Sequence, residues 1–169
     1  PPGVPGFGSI VMNTPSGDKI AVLNLSGRVF MAPMDCPFRV AEAEVAALKK
    51  EAKIIIVDFH AEATSEKSAL GWFLDGEVSA IIGTHTHVQT ADEKILPKGT
   101  AFITDVGMTG PSDSIIGVKT EQIIQKFLTQ IPTRFETAKG ETMLSCVVVE
   151  VNPKTGMSSA IQRMQLNFA

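Results

Sequence analysis

The chain has 169 residues, of which 44% are hydrophobic and 20% are charged, and its formal net charge is −3. This composition is typical of a soluble globular protein, and the length predicts one domain over residues 1–169 that needs no disulfide or metal staple. The small negative charge gives no electrostatic reason to expect nucleic acid or an anionic membrane as a partner.

The N-terminal part predicts an antiparallel hairpin. The chain opens Pro1-Pro2-Gly3-Val4-Pro5-Gly6 without a methionine, which fits a processed N-terminus or the cut end of a longer protein. Two strand patterns follow at Gly8–Met12 and Lys19–Leu25, separated by the turn-rich residues 13–18. We expect Arg28–Met31 to continue the same sheet.

The middle of the chain alternates between helical and buried-strand patterns. Apolar residues recur at helical spacing over Phe38–Lys50. Continuous β-branched runs at Lys53–Phe59 and Val78–Gly83 are typical of strands buried on both faces of an α/β sheet. The helix between these runs is predicted to end at Leu74 and to be capped by Thr64 or Ser65.

The C-terminal part adds a short strand, a helix and a second hairpin. We predict a strand at Ala101–Asp105, a loop at Gly107–Pro111, and a helix at Thr120–Gln130 with one apolar face formed by Ile123, Ile124, Phe127 and Leu128. The final hairpin pairs Thr142–Val151 with Ser158–Asn167. No repeat, linker or apolar run near the roughly 20 residues of a membrane span interrupts this order.

The chain's only three histidines follow the two buried strands. His60 comes after the first strand, and His85 and His87 come after the second. Ligands usually bind at the carboxyl ends of such strands. In extended backbone, side chains two residues apart project from one face, and imidazole is a common nitrogen ligand of zinc, iron and manganese. The pattern therefore predicts a metal site formed by these three residues.

Nearby polar side chains are candidate ligands or supports of that site. Asp58 and Glu62 flank His60, Asp92 follows the His-x-His pair, and Asp105 ends the third strand. Each could hold an imidazole in one tautomer, and each is also compatible with a capping or solvated position. Thr84 and Thr86 are candidate hydrogen-bond partners of a ligand or of the backbone.

Other metal and nucleophile sites are excluded by their motifs. A metallo-β-lactamase pattern would need Asp and His where Gln89 and Thr90 stand. The chain is too short for an amidohydrolase barrel, and the zincin motif, the P-loop and the nucleophile elbow are absent. Cys36 and Cys146 form no Cys-x-x-Cys pair and predict two reduced thiols of a cytoplasmic protein.

Several longer stretches resemble the bacterial YmdB-like metallophosphoesterases, a branch of the calcineurin-like superfamily. The resemblance extends over essentially the whole chain. The matching stretches are Asn24–Arg28, Asp35–Phe38, Val57–Lys67, Gly83–Asp92 and Ile103–Pro111.

This resemblance implies a four-layer α/β/β/α sandwich with a dinuclear metal site. By analogy, His60 and His85 would bind one metal and His87 the other. The metals expected are iron or manganese, with zinc or magnesium as alternatives. The implied function is hydrolysis of a small phosphodiester, for which 2',3'-cAMP and 3',5'-cAMP are plausible, by a cytoplasmic homo-oligomer.

The chain also departs from the family pattern. Family members carry N-terminal Gly-Asp-Val, Gly-Glu-Asn and Gly-Asn-His motifs that supply further ligands and the acid histidine, and none occurs here. We therefore interpret the chain as the C-terminal portion of such a domain, and we expect weak metal binding and little hydrolase activity from it alone. Two alternatives stay open: a non-catalytic assembly or regulatory module, and a protein that binds a single metal ion.

Overall fold

A six-stranded mixed sheet forms the centre of the fold. The computed structural model describes residues 5–169, so the opening residues up to Val4 lie outside it. The strands of this sheet are β1 (Ser9–Asn13), β2 (Lys19–Ser26), β3 (Ile54–His60), β4 (Ala80–Thr84), β5 (Lys94–Ile95) and β6 (Ala101–Ile103). They lie in the order β1-β2-β3-β4-β6-β5. The pairs from β2 to β6 are parallel and both edge pairs are antiparallel.

A second, three-stranded antiparallel sheet adjoins the β6–β5 side of the first. Its strands are β7 (Thr109–Pro111), β8 (Thr142–Val151) and β9 (Ser158–Phe168). Buried serines join the two sheets. The Ser79 hydroxyl donates to the Gly156 carbonyl at 2.5 Å, and the Ser158 hydroxyl donates to the Ser79 carbonyl at 2.7 Å. The predicted C-terminal hairpin is thus confirmed, and polar contacts anchor it to the larger sheet.

Two of the three helices cover one face of the six-stranded sheet. The helices are α1 (Pro37–Leu48), α2 (Thr64–Phe73) and α3 (Thr120–Thr129). Every second residue of β2 and β3 points into a cluster with α1 and α2. The fully buried members of this cluster include Leu23, Ile55, Val57, Phe59, Ala41 and Leu70. The hydrophobic core therefore lies between the sheet and these two helices.

The opposite face of the six-stranded sheet carries the polar residues of interest. Adjacent strands place Asn24 beside Asp58, and His60 beside Thr84. Their aliphatic neighbours on this face, such as Ile56 and Ile82, are only half-buried. The predicted site residues therefore lie at the carboxyl ends of the strands, away from the face that α1 and α2 cover.

The mixed α/β class is confirmed, whereas the four-layer sandwich is not. Of the apolar residues predicted to form the inner face of α3, only Ile123 is buried, and Phe127 and Leu128 are 73% and 80% exposed. Among residues 5–169, this helix therefore does not form a packed outer layer. Periodicity identified the helix, but it does not determine what covers its apolar face.

Two local predictions near the end of β2 and the start of α2 were wrong. Arg28–Met31 does not continue the sheet, because the buried Glu66 carboxylate accepts the backbone N–H groups of Arg28 and Val29 and turns the chain away. Neither Thr64 nor Ser65 caps α2. The N-cap residue is Ala63, and no side chain caps this end.

Two short strands were missed. The segment Gly107–Pro111, predicted as a loop, contains β7, whose proline is tolerated because β7 is an edge strand. The two residues of β5 are too few to show a periodic pattern. Cys36 and Cys146 are free, as predicted. Within residues 5–169, no helix is long and apolar enough to cross a membrane.

Candidate functional site

His60 and Thr84 bring the ends of β3 and β4 together. Each is the last residue of its strand, and the parallel register places them side by side. The Thr84 hydroxyl lies 3.1 Å from His60 Nδ1 and donates to Asp58 Oδ1, also at 3.1 Å. Asn24 donates to the other carboxylate oxygen of Asp58 at 2.9 Å. These contacts form a chain from carboxylate through hydroxyl to imidazole.

The hydrogen bonds from His60 through Thr84 to Asp58 determine which ring nitrogen of His60 carries hydrogen. The Thr84 hydroxyl has one hydrogen, which it donates to Asp58, so it can only accept from His60. The hydrogen of a neutral His60 ring therefore lies on Nδ1, and the lone pair lies on Nε2. Asp58 and Thr84 are thus placed to orient His60 through these hydrogen bonds.

Glu62 favours the opposite tautomer in His85. Its Oε2 atom lies 2.9 Å from His85 Nε2. A carboxylate only accepts hydrogen bonds, so a neutral His85 ring carries its hydrogen on Nε2 and its lone pair on Nδ1. That Nδ1 atom faces His60 Nε2 at 3.0 Å, with the two rings nearly perpendicular at 86°.

The facing nitrogens of His60 and His85 therefore both present lone pairs when the rings are neutral. Two lone pairs at 3.0 Å repel each other, and a positive centre between them, a proton or a metal cation, removes that repulsion. The donor set thus fits a cation held by two imidazole nitrogens. This feature follows from the hydrogen-bond network and could not be read from the His-x-His spacing.

His87 lies apart from this pair. Its Nδ1 atom hydrogen-bonds to the Ile116 carbonyl at 2.9 Å, which leaves Nε2 free to act as a ligand. Both His85 and His87 have positive φ angles, 118° and 66°. The backbone between them is therefore not extended, and the expectation that their side chains share one face was wrong.

The side chains that converge here are fewer than the ligands of a complete metal site. Among residues 5–169, no group of three or more His, Cys, Asp or Glu side chains is arranged to enclose a metal ion. Transition-metal sites use roughly four to six ligands. The chain supplies two converging nitrogens, His60 Nε2 and His85 Nδ1, and holds His87 separately.

Asp105 supports the loop after β4 that carries His85 and His87, which we call the histidine loop. Its side chain is fully buried and accepts hydrogen bonds from Lys67 Nζ at 2.8 Å, from the Thr86 amide at 2.9 Å and from the Gly107 amide at 2.9 Å. Asp105 is thus a support of the loop. Thr86 takes part through its backbone amide.

Lys67 was missed in the sequence, although a signal was present. Lys67, Leu70 and Leu74 are spaced like the apolar stripe of a helix, so an ionisable residue stands among core positions. Its side chain is only 1% exposed. A buried lysine needs an anionic partner, and the fold provides one in Asp105.

Asp92 lies in a separate hydrogen-bond cluster. It accepts hydrogen bonds from the hydroxyl groups of Thr90 and Thr104 and from the Thr104 amide. Burial alone raises the pKa of Asp92, but these hydrogen bonds together hold it below its usual value. Asp92 therefore ties the segment after the histidines to the end of β6, and within residues 5–169 it makes no hydrogen bond to the three histidines.

A groove of about 440 Å³ begins at His87. Its walls include the thioethers of Met108 and Met143 and the side chain of Ile116. The groove is also lined by Gln165 and by Arg163, whose Nε pairs with Glu93 at 3.3 Å. The groove thus combines polarisable apolar walls with a guanidinium and an amide group.

Comparison with known proteins gives consistent matches along the whole chain. The sequence model of a family described as YmdB-like protein matches residues 1–164. The 2',3'-cyclic-nucleotide 2'-phosphodiesterase of Bacillus subtilis (strain 168) is 53% identical over 167 residues, which are 99% of this chain and 63% of that protein.

Two crystal structures share the fold at the same level of identity. A hypothetical protein from Thermus thermophilus matches with a TM-score of 0.91 and 41% identity, covering 99% of this chain and 64% of that one. A structure described as a novel phosphatase from Mycoplasma pneumoniae matches with a TM-score of 0.87 and 41% identity, covering 96% and 58%. The chain thus spans less than two thirds of the length of each of these relatives.

Proposed function

Because the chain belongs to the YmdB-like protein family, we propose that it forms part of a metal-dependent phosphodiesterase. The observation that carries this proposal is the 3.0 Å distance between two imidazole nitrogens, His60 Nε2 and His85 Nδ1, which would both present lone pairs in the neutral rings. Such a pair is suited to hold a transition-metal cation, with iron or manganese as the expected metal. The names of relatives, which include a phosphodiesterase and a phosphatase, are consistent with this chemistry.

Each residue of the site has a separate task in this proposal. His60 and His85 would hold one cation, and His87 would contribute Nε2 to a second. The Asp58–Thr84 chain and Glu62 keep the required lone pairs in place. The bound metals would supply positive charge to the phosphoryl oxygens and acidity to an attacking water molecule.

The groove beside His87 supports a cyclic nucleotide as the substrate. A phosphate held near His87 would leave the attached nucleoside next to Met108 and Met143. Thioethers pack well against the flat face of an aromatic ring. Arg163 and Gln165 could then meet the polar edge of the base. We propose 2',3'-cyclic nucleotides first, because the Bacillus subtilis relative is named for them.

The metal part of the proposal is tested by calorimetric titration of the 169-residue chain with Mn²⁺. We expect weak but measurable binding, and His60→Ala should weaken it at least about tenfold because one of the two converging nitrogens is lost. Glu77→Gln is the control. It removes the negative charge of an exposed carboxylate that pairs with Lys49 and has no role in the proposed site, so the affinity should stay within about twofold.

Equal Mn²⁺ affinity in wild-type chain and His60→Ala would contradict this assignment of the pair. We also expect little or no hydrolysis by the chain alone, because two converging ligands are too few to organise both cations. Robust turnover by the pure chain that His85→Ala abolishes would contradict that second expectation.

The substrate part is tested by NMR on chain labelled at the methionine methyl groups. Addition of 2',3'-cyclic AMP should shift the Met108 and Met143 signals, because both line the groove, and leave Met12 on β1 unchanged. Inorganic phosphate, which has no base, should shift neither of the two groove signals. A uniform response of all methionines, or none at millimolar nucleotide, would argue against a nucleoside in this groove.

A further inference from the structure

The loop that carries His85 and His87 has an unusual backbone. Both histidines have positive φ angles, 118° and 66°, a region that non-glycine residues seldom adopt. Such conformations cost free energy and persist only where surrounding contacts hold them. The contacts that hold this loop therefore decide where the two imidazoles point.

The residue between the histidines provides the holding contact. The amide N–H of Thr86 donates to Asp105 Oδ2 at 2.9 Å, and Lys67 Nζ donates to the same oxygen at 2.8 Å. The second carboxylate oxygen, Oδ1, accepts from the Gly107 amide at 2.9 Å. One fully buried carboxylate thus joins the middle of the histidine loop to helix α2 and to the segment after β6.

Backbone contacts hold both sides of the loop to the same segment. Thr90 N–H donates to the Asp105 carbonyl at 3.0 Å, and Val106 N–H donates to the Gly83 carbonyl at 2.9 Å. The Thr90 hydroxyl accepts from the Asp105 amide at 3.0 Å. With both flanks of the loop attached there, the Thr86–Asp105 hydrogen bond fixes its centre.

A neutral residue could also accept the Thr86 N–H, so the presence of two buried charges needs a reason. A buried ion pair is costly to desolvate and is weak evidence for stability. A carboxylate, however, makes a shorter and stronger hydrogen bond to an amide than a neutral acceptor does. Lys67 is placed to keep that carboxylate ionised and pointing at Thr86.

From these contacts we propose that Lys67 and Asp105 are positioning residues for the histidine pair. They act through the Thr86 amide, which sets the backbone angles of His85 and His87 and hence the direction of their ring nitrogens. The effect on metal binding rests on the proposed function, whereas the effect on the loop backbone does not depend on it.

The test compares Asp105→Asn and Lys67→Met with Asp75→Asn. Asp75 is a matched control because it is a buried carboxylate that accepts the Lys98 and Thr100 amides, but next to the start of β6. Two quantities are measured on each folded variant: hydrogen exchange of the Thr86 amide by NMR, and Mn²⁺ affinity by calorimetry.

We expect both variants at the pair to speed Thr86 exchange and to weaken Mn²⁺ binding about tenfold to a hundredfold, the range seen when supporting residues of metal ligands are removed. Asp75→Asn should change neither quantity more than about twofold. Equal effects from Asp75→Asn, or unchanged Thr86 exchange in Asp105→Asn, would overturn the proposal.

Failure of the proposed metal binding can be distinguished from failure of the positioning role. If wild-type chain binds no Mn²⁺, the proposed function fails, and Thr86 exchange still tests the positioning role. If Asp105→Asn does not fold, Lys67→Met and the wild-type Thr86 amide remain. That amide should exchange as slowly as amides within β3 and β4, and fast exchange in the wild-type chain would overturn the proposal.

Discussion

Replacing Lys67 with methionine is expected to lower the free energy of unfolding by about 3–5 kcal/mol near pH 7. The substitution keeps the length of the side chain but leaves the Asp105 carboxylate buried without its cation, since both side chains are at most 1% exposed. Removing one partner of a buried ion pair is strongly destabilising for this reason. Urea denaturation followed by circular dichroism measures the change.

The matched control is the same substitution in an exposed ion pair. Lys49 pairs with Glu77 on the surface, where both side chains are well exposed. Exposed pairs contribute roughly 0–1 kcal/mol, so Lys49→Met should have a small effect. A Lys67→Met loss no larger than that of Lys49→Met would contradict the importance of the buried pair.

The pH dependence gives a second measure of the same pair. Burial raises the pKa of Asp105, but hydrogen bonds from Lys67 and from the amides of Thr86 and Gly107 together hold it below its usual value. An unfolded aspartate has a pKa of about 3.9, so the folded-state pKa is the lower one. The stabilisation from Asp105 is therefore complete above about pH 5 and is lost as the pH falls below about 4.

In Lys67→Met the Asp105 carboxylate loses the hydrogen bond from Lys67 and therefore takes up a proton at a higher pH than in the wild-type chain. The difference in stability between wild type and variant should therefore be largest near pH 7 and should narrow towards pH 4. Urea midpoints at both pH values check this. A difference that widens on acidification would show that the pair does not behave as assigned.

Replacing Gly83 with alanine is expected to cost at least about 3 kcal/mol or to prevent folding. A Cβ atom at this position would lie 1.7 Å from the Thr104 carbonyl oxygen, a backbone atom that cannot move without separating β4 from the segment after β6. Overpacking in a rigid site commonly costs about 1–3 kcal/mol, and a backbone clash of this size belongs at or beyond the upper end.

A thermal unfolding experiment with a matched glycine checks this expectation. For a chain of this length, 3 kcal/mol corresponds to a lowering of Tm by about 10 °C. Gly110 in β7 is the control, because an added Cβ would meet only the Met108 sulfur, at 3.9 Å. Gly110→Ala should unfold within a few degrees of wild type, and similar losses in both variants would contradict the clash.

Patterns that depend on neighbouring residues were predictable from the sequence. The continuous β-branched runs identified β3 and β4, because isoleucine and valine favour strands, although the face that carries Ile56 and Ile82 is only half-buried. His60 and His85 come at the ends of those runs, so the sequence predicted that they lie at the carboxyl ends of the two strands. The C-terminal hairpin was predicted to within one residue of its observed strands, because its turn and flanking patterns are local.

The tertiary structure decided the features that join distant parts of the chain. Lys67 and Asp105 are 38 residues apart, and no local pattern connects a helix position with the end of a strand. The tautomers of His60 and His85 depend on Thr84 and Glu62, and only folding brings these groups within hydrogen-bond distance.

The sequence by itself determined the mixed α/β class and the candidate histidines, since both follow from residue type and spacing. Only the tertiary structure decided that His60 and His85 face each other while His87 turns to Ile116. The physical reason is that side-chain direction depends on backbone angles. At His85 and His87 these angles are positive, and the Thr86 amide between them donates to the Asp105 carboxylate, which comes from elsewhere in the fold.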